Sequence, residues 1–293
     1  MDVGHQFVGV RRDYRKSAYP FTRCRVFPVL PQTAKAERAA ILHGDGIGCL
    51  AFCPLIGLFG AAAAWTGASE KTLKRIGDKD YEKIYLYPNS HAGYYPGAKP
   101  IAMKVIFRKS DGRLLGAQAV GEDNVDKRIS ALALALQMRA TIYDLEEAEL
   151  CYAPQFGSAK DPVNFAGMVA ADVLRGDMPL SQWDSAEKGF LLDVREPVEL
   201  ALENVPGALN IPLGQLRARL GELPRDREIL VICRSGQRAY SATRILLQKG
   251  FKARNLSGGM LSRTHAENFW SESIQAPNRV TTHRSESIPM AVM

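Results

Sequence analysis

The stretch EILVICRSGQR at residues 228–238 decides the fold of the C-terminal half of the chain. Residues 229–232 are a continuous apolar run, which is typical of a parallel strand that is covered on both faces. Positions 238–248 have helical spacing, and Gly250 follows as a stop. The stretch therefore predicts a strand, a tight loop and a helix, as in an α/β module with a doubly covered parallel sheet.

Cys233 is the first residue of the predicted loop. A loop at a helix N-terminus directs backbone N–H groups inward, and the helix dipole adds positive potential. Because these groups stabilise a thiolate, Cys233 is a candidate nucleophile that could attack a sulfane sulfur and hold it as a persulfide. Arg234 and Arg238 add positive charge, and Gly236 lets the backbone close tightly. The alternative is a buried structural cysteine, but the two arginines and the strand–loop–helix context favour chemistry.

The length of the loop separates two chemistries. A cysteine phosphatase places its arginine after five intervening residues, so that the loop surrounds a phosphate-sized anion. Here Arg238 follows Cys233 after four residues, and position 239 is alanine. The shorter loop favours a sulfur atom over a phosphoryl group.

Strand and helix patterns alternate through the rest of residues 180–270, which we predict to be one module after a linker at 177–179. Further strands are predicted at 189–194, 208–211 and 253–256. Helices are predicted to begin at 197, to end over 217–221 and to span 238–248. Residues 271–293 are predicted to be a polar tail.

A separate, mixed α+β domain is predicted over residues 58–178. Its helices are predicted at 70–76, at 124 or 125 to 138, and at 161–174, and its strands at 83–87, 101–107 and 114–120. Ser69 and Asp161 are suitable N-caps, and Pro162 suits the first helical position. The turn at 110–112 indicates a hairpin between the last two strands.

Residues 188–265 resemble a single rhodanese domain. The resemblance lies in LDVRE at 192–196, VPGALNIP at 205–212, the loop from Cys233 and LSGGM at 256–260. Asn204 stands where the family often has histidine, and Arg263 where it often has tryptophan. The resemblance implies sulfur transfer to a thiol or cyanide acceptor. It implies that Asp193 and Arg195 brace the active loop, and that the anionic donor is bound by Arg234, Ser235, Gly236, Gln237 and Arg238.

The preceding domain resembles the C-terminal dimerisation domain of the pyridine nucleotide-disulfide oxidoreductases, in the CoA-disulfide reductase branch that carries a rhodanese domain. The resemblance lies in SEKTLKR at 69–75, HAGYYPGA at 91–98 and YAPQFGSAKDP at 152–162. It implies a homodimer that helps to complete a partner's flavin site. Tyr152 matches a tyrosine near the reducible substrate, or else is a core or interface residue. His91 is expected to be a turn or interface residue, and Cys151 a buried thiol.

The family's FAD- and NAD(P)-binding domains would be expected before residue 60. Residues 1–57 are too short for them and stay unassigned. The glycines of HGDGIG at 43–48 lack the spacing of a dinucleotide fingerprint. FAD and NAD(P)H are therefore expected only if a partner supplies those domains, and sulfur transfer itself is expected to need no cofactor.

The net charge of +7 comes mainly from the first part of the 293-residue chain. Residues 1–40 hold eight bases and three acids. We interpret this as a solvated arm, with a nucleic-acid or membrane-surface patch or a transit peptide as weaker alternatives. Aromatic residues do not alternate with the bases, so no nucleic-acid partner is predicted.

The uncharged run at 46–69 is long enough to cross a bilayer. Pro54 and the glycines within the run argue against a span, so a membrane role is not predicted. The five cysteines are few and widely spaced, which indicates a reducing compartment and a cytoplasmic protein. The spacing of Cys49 and Cys53 is not that of a zinc site, so no metal is predicted.

The sequence thus predicts a sulfurtransferase that exchanges sulfur between a small donor and a thiol acceptor. A different class of function is a truncated FAD-dependent NAD(P)H CoA-disulfide or polysulfide oxidoreductase. A third is a non-catalytic docking module that uses the same loop as a binding site.

Overall fold

The computed structural model describes residues 53–184 and 189–263, and these contain two five-stranded sheets. Most of the unassigned segment 1–57 and the whole tail 271–293 lie outside the described residues. The first sheet is antiparallel, with the order β1-β2-β5-β4-β3. Its strands are β1 (Leu55–Leu58), β2 (Ala61–Gly67), β3 (Tyr81–Leu86), β4 (Ile101–Arg108) and β5 (Leu114–Gly121). Its helices are α1 (Glu70–Ile76), α2 (Val125–Gln137), α3 (Ile142–Glu146) and α4 (Pro162–Leu174).

The described part of the uncharged run 46–69 forms the hairpin β1–β2, which the sequence patterns did not predict. Strand β2 pairs with β5 over residues 62–67, so the run joins the edge of the first sheet. No helix within 53–184 or 189–263 has the length and apolar character needed to cross a bilayer.

The helix boundaries follow the predicted caps. The hydroxyl of Ser69 accepts the N–H of Thr72 at 3.1 Å, and Gly77 ends α1 with φ of +77°. The carboxylate of Asp161 accepts the N–H of Val163 at 3.0 Å at the start of α4. Each cap satisfies a backbone group that the helix itself leaves unpaired.

The core of the first domain lies between the sheet and α2. Helix α2 lies against β2 and β5, and its apolar face shares one buried cluster with inward side chains of the sheet. The sequence predicted this helix as a strong amphipathic one. The fully buried members include Ile84, Ile101, Val105, Phe107, Ile129 and Leu132.

The second sheet is entirely parallel, with the order β6-β10-β9-β7-β8. Its strands are β6 (Leu180–Ser181), β7 (Phe190–Asp193), β8 (Leu209–Asn210), β9 (Ile229–Ile232) and β10 (Ala253–Leu256). Its helices are α5 (Pro197–Leu202) and α6 (Gln237–Gln248). The predicted helix at 217–221 was wrong, because this region forms two short 3-10 turns, Leu213–Gln215 and Leu220–Glu222.

Both faces of the second sheet are covered, as the continuous apolar run predicted. Ile229 and Val231 of β9 share one cluster with Leu246 of α6. Leu230 and Ile232 point the other way and pack with Met260. Because the side chains of a strand alternate between its faces, an apolar residue at every position requires two packed faces. This arrangement confirms the predicted fold class.

An ion cluster joins α1 to the first sheet and gives a testable pH dependence. The Glu70 carboxylate lies 2.8 Å from the amines of Lys83 and Lys104 and 2.9 Å from that of Lys74. Burial raises the pKa of Glu70, but the hydrogen bonds from the three lysines outweigh it and lower the pKa to about 2. A lowered pKa in the folded state adds stability above the ordinary value of 4.5, and this stability is lost as the pH falls toward 2.

We expect Glu70→Gln to lower the free energy of unfolding at pH 7 by about 2 kcal/mol. The difference from the parent should shrink as the pH falls from 4.5 toward 2. Urea unfolding at several pH values measures both. Glu122→Gln is the matched control, because Glu122 forms an exposed pair with Lys99 at 3.2 Å. Loss of this pair should cost under about 0.5 kcal/mol. Equal effects of the two substitutions at pH 7 would contradict this role of Glu70.

Candidate active site

Cys233 lies directly after β9, in a loop that curls around its sulfur. The Sγ atom accepts the backbone N–H of Gly236 at 3.1 Å and that of Ala239 at 3.3 Å. Gly236 has φ of +94°, a conformation that a residue with a side chain rarely adopts. Cys233 is only 1% exposed, but its sulfur faces amide donors at the start of α6. This arrangement stabilises negative charge on the sulfur.

Strand β10 and the segment directly after it hold the Cys233 loop in place. The side-chain amide of Asn255 donates to the Gly236 carbonyl at 3.0 Å. The N–H of Met260 donates to the Cys233 carbonyl at 2.9 Å. A side chain at Gly259 would collide with the carbonyls of Cys233 and Arg234, so only glycine allows this approach. The loop is therefore fixed on its outer side while its amides point inward at the sulfur.

The sequence predicts that the two arginines of the loop add positive charge beside the sulfur, and this stays a prediction. The guanidinium of Arg238 forms two hydrogen bonds with the Glu199 carboxylate, at 2.6 and 2.7 Å, and the side chain of Arg234 is exposed. The Arg238 hydrogen bonds lower the pKa of Glu199 to about 2, and the same bonds raise the pKa of Arg238. The hydrogen bonds that the structure gives to the Cys233 sulfur come from amides.

Glu199 is the residue of this site that sequence analysis missed. It lies in the first turn of α5, and its carboxylate also accepts the N–H of Glu196 at 3.0 Å. The available signal was an acidic residue two positions after Pro197, at a helix start that the sequence did predict.

The remaining residues of the Cys233 loop are Ser235, which is half-buried, and Gln237, which is exposed.

Asp193 and Arg195 form a buried ion pair at the end of β7. The Asp193 carboxylate accepts the Nε of Arg195 at 3.0 Å and a terminal nitrogen at 2.7 Å. Arg195 also donates to the Glu203 carbonyl at 2.9 Å, and Asn210 donates to the carbonyls of both ion-pair residues at 2.9 Å. The pair therefore fixes the segment that carries Glu199, and its bonds to the active loop are indirect.

The two departures from the rhodanese pattern lie next to each other. Arg263 donates to the Asn204 carbonyl at 3.4 Å, and its guanidinium lies 5.6 Å from the ring centre of Trp183. Trp183 in turn donates to the Gly259 carbonyl at 2.9 Å. A tryptophan from before β7 thus supports the turn beside the active loop.

The first domain contacts the same turn. The N–H of Tyr85 on β3 donates to the Ser257 hydroxyl at 3.1 Å, and the hydroxyls of Tyr87 and Ser262 lie 3.1 Å apart. The segment 257–262 therefore bonds to the first sheet on one side and to the Cys233 loop on the other.

Tyr152 belongs to the loop before α4 in the first domain. It is exposed, and its hydroxyl lies 2.8 Å from that of Tyr94. His91 is buried and packs edge-on against Tyr95, with ring centres 5.8 Å apart.

The expectation that Cys151 is buried was wrong, because the loop leaves its thiol exposed. In the described ranges, no group of three or more histidine, cysteine or acidic side chains could hold a metal ion.

Two family matches divide the chain. Residues 53–161 match the dimerisation domain of the pyridine nucleotide-disulphide oxidoreductases, and residues 179–263 match the rhodanese-like domain. A coenzyme A disulfide reductase of Staphylococcus epidermidis is 37% identical over 116 residues, which are 40% of this chain and 26% of that relative.

Two solved structures are similar over both domains. The reduced CoADR-RHD of Bacillus anthracis is 43% identical with a TM-score of 0.69, and the match covers 71% of this chain and 38% of that one. A NAD-dependent persulfide reductase from A. fulgidus is 36% identical with a TM-score of 0.65, over 72% and 38%. The chain thus spans about a quarter of the curated relative and well under half of either solved chain.

Proposed function

We propose sulfur transfer through Cys233 as the function of this chain, which joins a pyridine nucleotide-disulphide oxidoreductase dimerisation domain, of the CoA-disulfide reductase type, to a rhodanese-like domain. The observation that carries the proposal is the pair of hydrogen bonds from Gly236 and Ala239 to the Cys233 sulfur. Two amides at a helix N-terminus stabilise a thiolate and, after reaction, the persulfide anion that replaces it.

The reaction has two balanced steps. The Cys233 thiolate attacks the outer sulfur of a donor R–S–SH, a new sulfur–sulfur bond forms, and the donor bond breaks. The leaving R–S group takes the proton of the donor as R–SH, and Cys233 is left as a persulfide anion. A thiol acceptor then attacks the outer sulfur and regenerates the Cys233 thiolate. The sulfur atom moves between thiols with no external oxidant or reductant.

The test is a turnover assay with the purified full chain. Glutathione persulfide or thiosulfate serves as the donor and a small thiol as the acceptor, and persulfide appearing on the acceptor is measured. We expect many turnovers per chain. Formation of acceptor persulfide at no more than the rate without protein, with both donors, would refute the proposal.

A second candidate is a flavin-dependent reductase of CoA disulfide or polysulfide, favoured by the similarity to coenzyme A disulfide reductase and by the exposed Tyr94–Tyr152 pair. FAD and NAD(P)H would bind to domains that a partner supplies. In the described residues, the backbone amides at the start of α6 donate to the Cys233 sulfur, so this helix N-terminus does not fit the phosphate of a dinucleotide. We therefore derive no step through flavin. Visible flavin absorbance in the purified protein would favour this candidate. A slow reaction of Cys233 with an alkylating reagent would instead favour the third function, a non-catalytic docking module that uses the same loop as a binding site.

The dimerisation-type domain suggests a homodimer. Exposed apolar side chains on this domain, such as Leu134 and Met138 of the α2 region, offer contact area for a second copy. We expect light scattering to give the mass of about two 32.2 kDa chains. A single-chain mass at micromolar concentration would contradict this assembly. A cytoplasmic location stays a prediction.

A further inference from the structure

We infer that Glu199 determines donor specificity, by neutralising the Arg238 guanidinium and so disfavouring dianionic donors such as thiosulfate relative to organic persulfides. The inference rests on the proposed sulfur transfer and names the substrate class of the same site.

The geometry of the ion pair supports this role. Both terminal nitrogens of Arg238 bond to Glu199, at 2.6 and 2.7 Å. The side chains are 34% and 27% exposed, so solutes can reach the pair. A guanidinium whose two terminal nitrogens both face a carboxylate has less positive charge to offer to a second anion.

A second hydrogen bond fixes the orientation of the Glu199 carboxylate. This carboxylate also accepts the N–H of Glu196 at 3.0 Å, across the first turn of α5. The buried pair of Asp193 and Arg195 fixes the chain just before that turn. An incoming anion must therefore compete with a carboxylate that is already in place.

The charges of the reacting groups separate the two donor classes. Attack on thiosulfate brings the Cys233 thiolate against a dianion, and the products are the persulfide anion and sulfite. Attack on the protonated form R–S–SH of an organic persulfide places one negative charge at the reacting atoms, on the thiolate, and the product R–SH is neutral at sulfur; any other charges of the donor, such as the carboxylates of glutathione, lie away from the reacting sulfur. Because Glu199 offsets the charge of Arg238, the arginine contributes less to balancing the greater repulsion with thiosulfate.

The experiment is Glu199→Gln, because the glutamine oxygen can still accept the Glu196 N–H while the negative charge is removed. We expect the ratio of kcat/KM for thiosulfate to kcat/KM for glutathione persulfide to rise roughly tenfold. The rise should shrink as salt is added, because an unpaired arginine attracts the dianion through screened charge. Glu222→Gln is the matched control, since Glu222 forms a similar pair with Arg219, at 2.6 and 2.7 Å, outside the active loop.

The possible results separate this inference from the function on which it rests. No turnover of the parent chain with either donor refutes sulfur transfer itself. Turnover of the parent with an unchanged donor ratio in Glu199→Gln overturns only the specificity role, as does an equal change for both donors. If Glu199→Gln does not fold, Glu199→Asp is measured instead. Its shorter side chain weakens the pair, so the donor ratio should move in the same direction by a smaller factor, and an unchanged ratio again overturns the role.

Discussion

Cys233→Ala should abolish sulfur transfer, with a fall in kcat/KM of at least about a thousandfold. The substitution removes the atom that forms the persulfide, and no neighbouring group of the loop can replace it as a nucleophile. Alanine keeps the Cβ atom but leaves the N–H groups of Gly236 and Ala239 without their sulfur acceptor, so we expect a cost to folding of about 1–3 kcal/mol. The measurement is the donor-to-thiol assay, with circular dichroism as the check on folding.

Cys151→Ala is the control for that experiment. Cys151 is an exposed thiol in the first domain, so its removal tests whether any accessible cysteine can carry the sulfur. We expect this variant to keep the rate of the parent. Full activity in Cys233→Ala, or a large loss in Cys151→Ala alone, would contradict the assignment.

Asp193→Asn should lower the free energy of unfolding by about 3–5 kcal/mol, the largest stability effect that we expect. Arg195 is 3% exposed, and its guanidinium faces the Asp193 carboxylate at 2.7 Å. Removal of the negative charge leaves a positive charge buried without compensation. Urea unfolding, followed by far-UV circular dichroism, measures the loss.

Two further variants show whether the buried charge is the cause. Glu222→Gln breaks an exposed arginine pair in the same domain and should cost under about 1 kcal/mol. The double substitution Asp193→Asn with Arg195→Met removes both charges and should recover part of the stability. A loss of under 1 kcal/mol in Asp193→Asn, or no recovery in the double variant, would show that the pair is not the brace we describe.

The sequence predicted the second sheet well because its signals are local. The continuous apolar run of β9, the glycine of the loop and the helical spacing of α6 follow one another without a break. In the first domain, the caps Ser69 and Asp161 placed the starts of α1 and α4 to the residue. Each of these features depends on residues only a few positions apart.

The features that sequence analysis missed depend on distant partners. Strand β2 is rich in alanine and has weak intrinsic strand preference, and it becomes a strand because β5 pairs with it. Residues 217–221 have helical composition, but the chain here forms isolated 3-10 turns.

The same reason applies to the active site. Local spacing placed Cys233 and the loop, but the partner of Arg238 lies 39 residues away in sequence, on α5. The sequence therefore could not show that Arg238 bonds to Glu199. Similarly, the exposure of Cys151 depends on the path of a whole loop and not on its neighbouring residues.

The most direct test of the central claim is the mass of the intact chain after brief mixing with glutathione persulfide, followed by peptide mapping. We predict a gain of one sulfur atom, located on the peptide that contains Cys233 and lost again when a thiol acceptor is added. A chain that gains no sulfur, or gains it on Cys53 or Cys151 while Cys233 stays unmodified, would contradict the account.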